Sequence, residues 1–158
     1  MEARYVNAIV RATKGILMNH LGAEVHSLTP KLGDASVTSN DISVILGVKG
    51  QLAGQIICSF KKETALNIVS TMMGGMTVTE LDAMSWSAVK EFGNWIAGTT
   101  ATELSNEQCI IDVTPPVTNE GSSIFHSSEK YLTLSLDSSL GQIDIHLSFQ
   151  VVEETIRA

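Results

Sequence analysis

Only two cysteines occur in 158 residues, too few for a disulfide framework. Both stand inside apolar runs of strand character, Cys58 in IICSF and Cys109 in CIIDV, settings that suit buried thiols. The four histidines, His20, His26, His126 and His146, are scattered, and none is spaced from a cysteine or carboxylate as metal ligands are, so no metal site is expected. Glycine-rich phosphate loops and nucleophile–base pairs are also missing, which leaves little basis for a self-contained small-molecule active site. No cluster of lysine and arginine offsets the formal net charge of −7, and with a pI near 5.0 nucleic acid is not an expected partner. Hydrophobic residues make up 44% of the chain, but in short runs that fall below the length needed to span a bilayer. The opening MEARYVNAIVRATKG lacks the basic-then-apolar order of a secretory signal. The expectation is a cytoplasmic protein without membrane insertion, forming a single domain over residues 1–158 that is long enough to bury a core unaided.

What is present is patterned. Residues 3–21 place Tyr5, Ile9, Ala12 and Ile16, joined by Val6, Val10, Leu17 and Leu21, on one face, with Asn7, Arg11 and Lys14 on the other. That period predicts an amphipathic helix closing near Gly22. A strand is expected over residues 25–32. ISVILGV and QIICSF alternate apolar and small or polar residues and predict a hairpin, with GQLAGQ as its turn. ETALNIVSTMM carries Leu66, Val69 and Met73 at helical spacing before Gly74 and Gly75, a pair suited to a positive-φ helix stop. Thr79 and Asp82 form a variant capping box before the longest helix, LDAMSWSAVKEFGNWIAGTTATEL. CIIDVTPP predicts a strand ended by prolines, and VTNEGSSIFHSS an exposed loop. YLTLSLD and QIDIHLSFQVV alternate strictly, with Thr, Ser, Gln, Asp and His on the second face. Strands dry on one side and wet on the other indicate an α+β fold: an antiparallel or mixed sheet with long amphipathic helices packed on one face. SAVKEFGNWIAG also overlays NAIVRATKGILM, which raises a pseudo-two-fold internal repeat with Arg11 and Lys14 at the places of Glu91 and Asn94.

The stretch KEFGNWIAG, residues 90–98, carries the chemistry. At about 100° per residue, Ser87, Glu91, Asn94 and Gly98 fall within about 60° of one another on the long helix, while Val89, Phe92 and Ile96 lie opposite. The apolar side is expected on the sheet, so the carboxylate and the amide should face outward. A polar pair alone would suit any solvated helix face. Two interior glycines do not, since each costs about 0.5–1 kcal/mol relative to alanine. Gly93, nearer the buried side, is accounted for by close packing on the sheet. Gly98 lies in the polar stripe, where a bare backbone lets another molecule approach. Trp86 and Trp95 flank the stripe and are expected to pack along the helix margins. An amide is not a base, but it donates and accepts hydrogen bonds at once and can orient a water. Orienting a water is a useful contribution to phosphoryl transfer, which depends chiefly on positioning and electrostatics.

At these residues the sequence resembles the CheC/CheX family of chemotaxis phosphatases, whose signature is an acid or serine, three residues, Glu, two residues, Asn; here it reads Ser87, Glu91, Asn94. MMGGMTVTELDAMSWSAVKEFGNWIAG, DISVILGVKGQLAGQIICSF and CIIDVTPP resemble the family's central segment, central hairpin and following strand. The single copy of the motif is similar to the CheX type. The resemblance implies a phosphatase acting on a phosphorylated CheY-like response regulator. In it Asn94 would fix the attacking water, Glu91 would pair with the regulator's active-site lysine, and Ser87 and Gly98 would supply supporting contact and close approach. It implies no cofactor of the chain's own, the Mg²⁺ belonging to the regulator. It also implies a homodimer formed through sheet edges, for which ISVILGV and the terminal hairpin are candidates if they are not covered within the monomer. The alternative is a non-catalytic regulator-binding or flagellar-switch scaffold module of the same fold.

Overall fold

The computed structural model describes residues 2–152; residues 1 and 153–158, the ends of the expected 1–158 unit, lie outside the described residues. The first helix, α1 (Ala3–Gly15), passes into a π turn over Ile16–His20 before Gly22 closes it at φ +63°. Ten strands follow: β1 (Val25–Ser27), β2 (Lys31–Leu32), β3 (Ser36–Thr38), β4 (Ile42–Gly50), β5 (Leu52–Phe60), β6 (Ile111–Val113), β7 (Val117–Glu120), β8 (Ile124–His126), β9 (Leu132–Ser138) and β10 (Gly141–Val151). Helices α2 (Lys62–Met72) and α3 (Ala83–Asn106) stand between β5 and β6.

The main sheet runs β1-β9-β10-β5-β4-β6, with β2 also on β9 and β7 on β4, and β3 and β8 form a separate ribbon. Every pairing among the described residues is antiparallel. The connectivity repeats. The order α1-β1-β2-β3-β4-β5 is matched by α3-β6-β7-β8-β9-β10. The equivalent strands β5 and β10 pair at the centre, β1 crosses to β9 as β6 crosses to β4, and β3 meets β8. The topology thus carries the two-fold that the loose overlay of Ala8 and Ile16 on Ala88 and Ile96 suggests.

Period-two alternation decides the main core. Val44 and Leu46 of β4, Ile56, Cys58 and Phe60 of β5, Ile143, Ile145 and Leu147 of β10, and Leu134 and Leu136 of β9 pack with Ile9, Ile16, Ile68, Phe92 and Ile96 from the helices. Phe60 and Phe92 meet edge to face, with ring centroids 6.3 Å apart, a favoured geometry that adds to an area term of about 1.5–3 kcal/mol for each buried side chain. Cys58 and Cys109 are buried free thiols, and burial pushes Cys58 up to about 12.

Several expectations need correction. The turn expected over GQLAGQ shrinks to Gln51 between Gly50 and Leu52, because Leu52 continues the apolar alternation of β5 and is fully buried. The strand expected over residues 25–32 is two pieces, β1 and β2, separated at Leu28–Pro30. The exposed loop expected after the prolines contains β7, paired with β4, and β8, paired with β3. In α2 the buried side is Thr64, Ala65, Ile68 and Val69, with Leu66 and Met73 only half-buried, because the helix sits in the corner between α3 and β10. Strands β4 and β10, the candidates for dimer edges, are interior strands bonded on both sides. The second face of the sheet is polar but not wet. Ser43, Ile57, Ser59, His146 and Ser148 are buried beneath the segments flanking the β3–β8 ribbon. There the Asn40 N–H donates to Ser59 Oγ at 2.6 Å, Ser148 Oγ donates to the Glu129 carbonyl at 3.0 Å, and Tyr131 bonds Gln55.

His146 bonds Thr133 Oγ1 through Nδ1 at 2.8 Å in this layer. Burial pushes its imidazole below the ordinary value of 6.5, partly opposed by Asp144. A depressed folded value means that the unfolded chain binds the proton first. Stability should therefore be level above pH 6.5 and decline as the pH falls from there toward the folded value, and His146→Gln should flatten that decline in denaturant titrations across the same range.

Gly93 seats α3 closely on the sheet. A Cβ there would lie 2.8 Å from Val44 Cγ1 and 3.0 Å from Pro116 Cβ. Val44 is a stiff, buried β-branched residue and Pro116 a ring, so neither yields cheaply. Gly93→Ala should therefore destabilise the protein by about 1–3 kcal/mol, reversing the gain that helix propensity alone would give. Urea midpoints measure it.

Candidate functional site

Helix α3 starts three residues later than the Thr79 capping box implies. Asp82 is the N-cap: its Oδ1 accepts from the Ser85 N–H at 2.9 Å and from Ser85 Oγ at 2.8 Å, and these bonds hold the Asp82 carboxyl below the ordinary carboxylate value. Asp and Ser at positions 82 and 85 satisfy the free N–H groups themselves, so Thr79 to Leu81 stay outside the helix.

From that start the helix runs 24 residues and buries Val89, Phe92, Gly93, Ile96, Thr100 and Leu104. Its rotation follows. Ser87, Glu91, Asn94 and Gly98 are all exposed along the opposite side, as their spacing predicts. Ser87 Oγ donates back to the Ala83 carbonyl at 3.1 Å. Neither Glu91 nor Asn94 takes part in a side-chain hydrogen bond or ion pair among the described residues. Three positions apart on a helix, their Cβ atoms stand about 5–6 Å from each other, so one small polar group can touch both.

The neighbouring cation is engaged elsewhere. Arg11 of α1 donates to Glu103 at 3.2 Å and to Glu107 at 3.1 Å, clasping the C-terminal half of α3. Arg11, though exposed, is thus held in ion pairs where Glu91 is not, and the Glu91 carboxylate makes no ion pair among the described residues. No group of three His, Cys, Asp or Glu side chains that could hold a metal occurs among those residues.

Beside Asn94 lies a shallow recess of about 340 Å³, lined by Ile16, His20, Asn94, Trp95, Gly98 and Thr102. The His20 imidazole stacks on Trp95 with ring centroids 5.1 Å apart and planes tilted by 36°. Trp86 and Trp95 are half-buried against the core, as expected for the helix margins. A Cβ on Gly98 would meet nothing within 4 Å. The recess has no signal in the sequence, because it joins residues from α1 and α3 that only the fold brings together. Larger hollows, of about 620, 700, 420 and 360 Å³, contain no residue of the stripe.

The arrangement offers a rigid rod carrying an unengaged carboxylate and an unengaged amide on one open face. Among the described residues the stripe holds no nucleophile–base pair, and a carboxylate beside an amide suits positioning a water or an ion within a centre supplied by another molecule.

A family model described as "Chemotaxis phosphatase CheX" matches residues 42–136, a span that contains the whole stripe. The chain is 37% identical over 126 residues to the CheY-P phosphatase CheX of Thermotoga maritima, covering 77% of this chain and 78% of that one. Among solved structures, a CheC-like superfamily protein from Shewanella sp. PV-4 matches with a TM-score of 0.83 at 22% identity, over 95% of this chain and 99% of that one. The CheX–CheY–BeF3–Mg²⁺ complex from Borrelia burgdorferi matches with a TM-score of 0.77 at 24% identity, over 94% of this chain and 99% of that one. At these identities the two structural likenesses establish the fold.

The start of α3 sets the frame for the stripe. Asp82→Ala should lower the melting temperature by several degrees, while Asp82→Asn, which caps as well, should hold it. Thermal unfolding followed by circular dichroism separates the two.

Proposed function

The chain belongs to the CheX family of chemotaxis phosphatases, and from that premise we infer that it accelerates hydrolysis of the aspartyl phosphate on a CheY-like response regulator. The observation that carries the reading is the outward face of α3, where Glu91 and Asn94 stand exposed and unengaged on a helix whose opposite side is fixed in the core. Helix α3 lies across the regulator's active site. The Asn94 amide accepts from and donates to its surroundings at once, and so holds a water in line with phosphorus. The water oxygen bonds to phosphorus as the bond to the aspartate oxygen breaks, leaving inorganic phosphate and the free carboxylate. Glu91, without a counter-charge of its own, pairs with the regulator's active-site lysine and fixes the helix in register. Ser87 supports this contact, and bare Gly98 permits close approach. The Mg²⁺ that neutralises the phosphoryl group belongs to the regulator.

In this reading residues 1–158 act as one phosphatase domain in the cytoplasm. The protein works as a homodimer paired through an outer strand. With β4 and β10 interior, the available outer strands are β1 and β2 beside β9, near exposed Leu28 and Leu32, or β6 and β7 beside β4, near exposed Ile110 and Val117.

The test is loss of phosphate from a CheY-type regulator charged with a small-molecule phosphodonor. Asn94→Ala should lower the stimulated rate by about 10²-fold or more, with stability within about 0.5 kcal/mol of wild type because no core contact changes. Glu91→Ala should weaken both regulator binding and turnover. Wild-type rates in both variants would sink the reading, and binding without acceleration by the wild-type protein would favour the scaffold.

A further inference from the structure

The recess beside Asn94 is built by both helices, and two of its features lack a structural reason. The first is the π turn. The Leu21 N–H reaches the Ile16 carbonyl at 3.3 Å, five residues back. Such turns are rare and concentrate at functional sites. This one ends α1 with the His20 imidazole laid against Trp95 of α3 at the rim of the recess. The second is Gly98. It stands in the interior of α3, where glycine is about 1 kcal/mol less favourable than alanine, yet a Cβ there would meet nothing within 4 Å. Packing explains Gly93 and does not explain Gly98.

Resting on the function inferred above, we propose that this recess is a second contact point for the phosphorylated regulator, receiving the backbone next to its phosphoaspartate, and that His20 is a specificity-determining residue there. The occupant follows from continuity. Asn94 itself lines the recess, and Gly98 lies one helical turn, about 6 Å, further along the same face. A regulator whose phosphoryl group stands at Asn94 brings the chain beside that aspartate over Gly98. The lining suits a main-chain segment with a small apolar side chain. Ile16 and the Trp95 indole give apolar walls, and the His20 ring nitrogens offer a donor and an acceptor to a peptide group. Thr102 Oγ1 donates to the Gly98 carbonyl at 3.0 Å, which leaves its lone pairs free to accept a peptide N–H.

Steady-state dephosphorylation of a CheY-type regulator charged with a small-molecule phosphodonor tests this, with KM and kcat resolved for wild type, Asn94→Ala, Gly98→Met, His20→Ala and His20→Gln. Gly98→Met fills the recess while improving helix propensity, so its melting temperature should equal or exceed that of wild type while KM rises about tenfold. His20→Ala should raise KM about three- to tenfold with kcat within about twofold, and His20→Gln, which keeps a donor and an acceptor, should recover most of the loss. If Gly98→Met proves less stable than wild type, His20→Ala decides, because His20 is exposed and forms no part of the core. Wild-type KM in folded Gly98→Met and His20→Ala, with Asn94→Ala inactive, would overturn this inference and leave the function standing. Absence of any acceleration by wild-type protein would overturn the function first.

Discussion

Rotation of α3 about its own axis is set by its buried side, Val89, Phe92, Ile96 and Leu104, with Gly93 seated closely against Val44 and Pro116. Because glycine has no side chain, the helix backbone comes down onto β4 and the proline turn, and Phe92 beside it reaches Phe60 across the core. A helix resting on larger residues would stand further off and could roll. Held this closely it cannot, and each residue's angular place becomes a fixed direction in space. Glu91 precedes the buried Phe92–Gly93 pair and Asn94 follows it, so the two polar groups rise on the outer side because of what lies beneath them. For the role proposed for Asn94 the value of the arrangement is pre-organisation: a group that holds a water in line contributes most when its own direction costs nothing to set.

The near two-fold arrangement of the chain shows how one helix was freed for this and the other was not. Arg11 of α1 holds Glu103 and Glu107, so the charged face of α1 is spent on tying the two helices together. Glu103 lies in the last third of α3 and Glu107 caps its end, both well beyond Glu91. Opposite charges are thus used where the helices meet, and the carboxylate in the middle of α3 is left without a partner among the described residues. Exposed pairs of this kind add little stability. Their effect here is directional, since they keep the basic face of α1 away from the acid that faces outward.

The parts of the fold that were legible in the sequence are those set by local period. Strict alternation in β9 and β10 and in the β4–β5 hairpin identified the core face except at its margin, where Leu132 and Phe149 are half-buried and Val151 is exposed, and the 100° helical step put Ser87, Glu91, Asn94 and Gly98 in one row. What stayed hidden depends on distant chain. Nothing near Ser59 or Ser148 says that Asn40, Ser127 and Glu129, on the segments flanking the β3–β8 ribbon, will bond them, because those partners come from outside each strand's own stretch of sequence. The same holds for β7, whose residues Val117 to Glu120 gain strand geometry only by pairing with β4. The burial of α2 turned toward Ala65 and Ile68 because α3 and β10 set the corner into which it fits. His20 was passed over as one of four scattered histidines, since a π turn has no sequence signature and the stacking on Trp95 crosses between helices.

Two glycines five residues apart on one helix therefore answer to opposite constraints. At Gly93 any added atom collides with Val44 or Pro116, so the residue is required by the fold, and its loss is felt in stability. At Gly98 an added atom collides with nothing, so the fold would be served better by alanine, and the choice of glycine costs stability that the isolated molecule does not recover. A helix that bears such a cost on its exposed side, one turn beyond an unengaged amide, is shaped by something outside its own core. That is the physical sense in which this face is incomplete: among the described residues its carboxylate has no ion pair and its amide no hydrogen-bond partner, and its backbone is left bare where a second chain can fill the space.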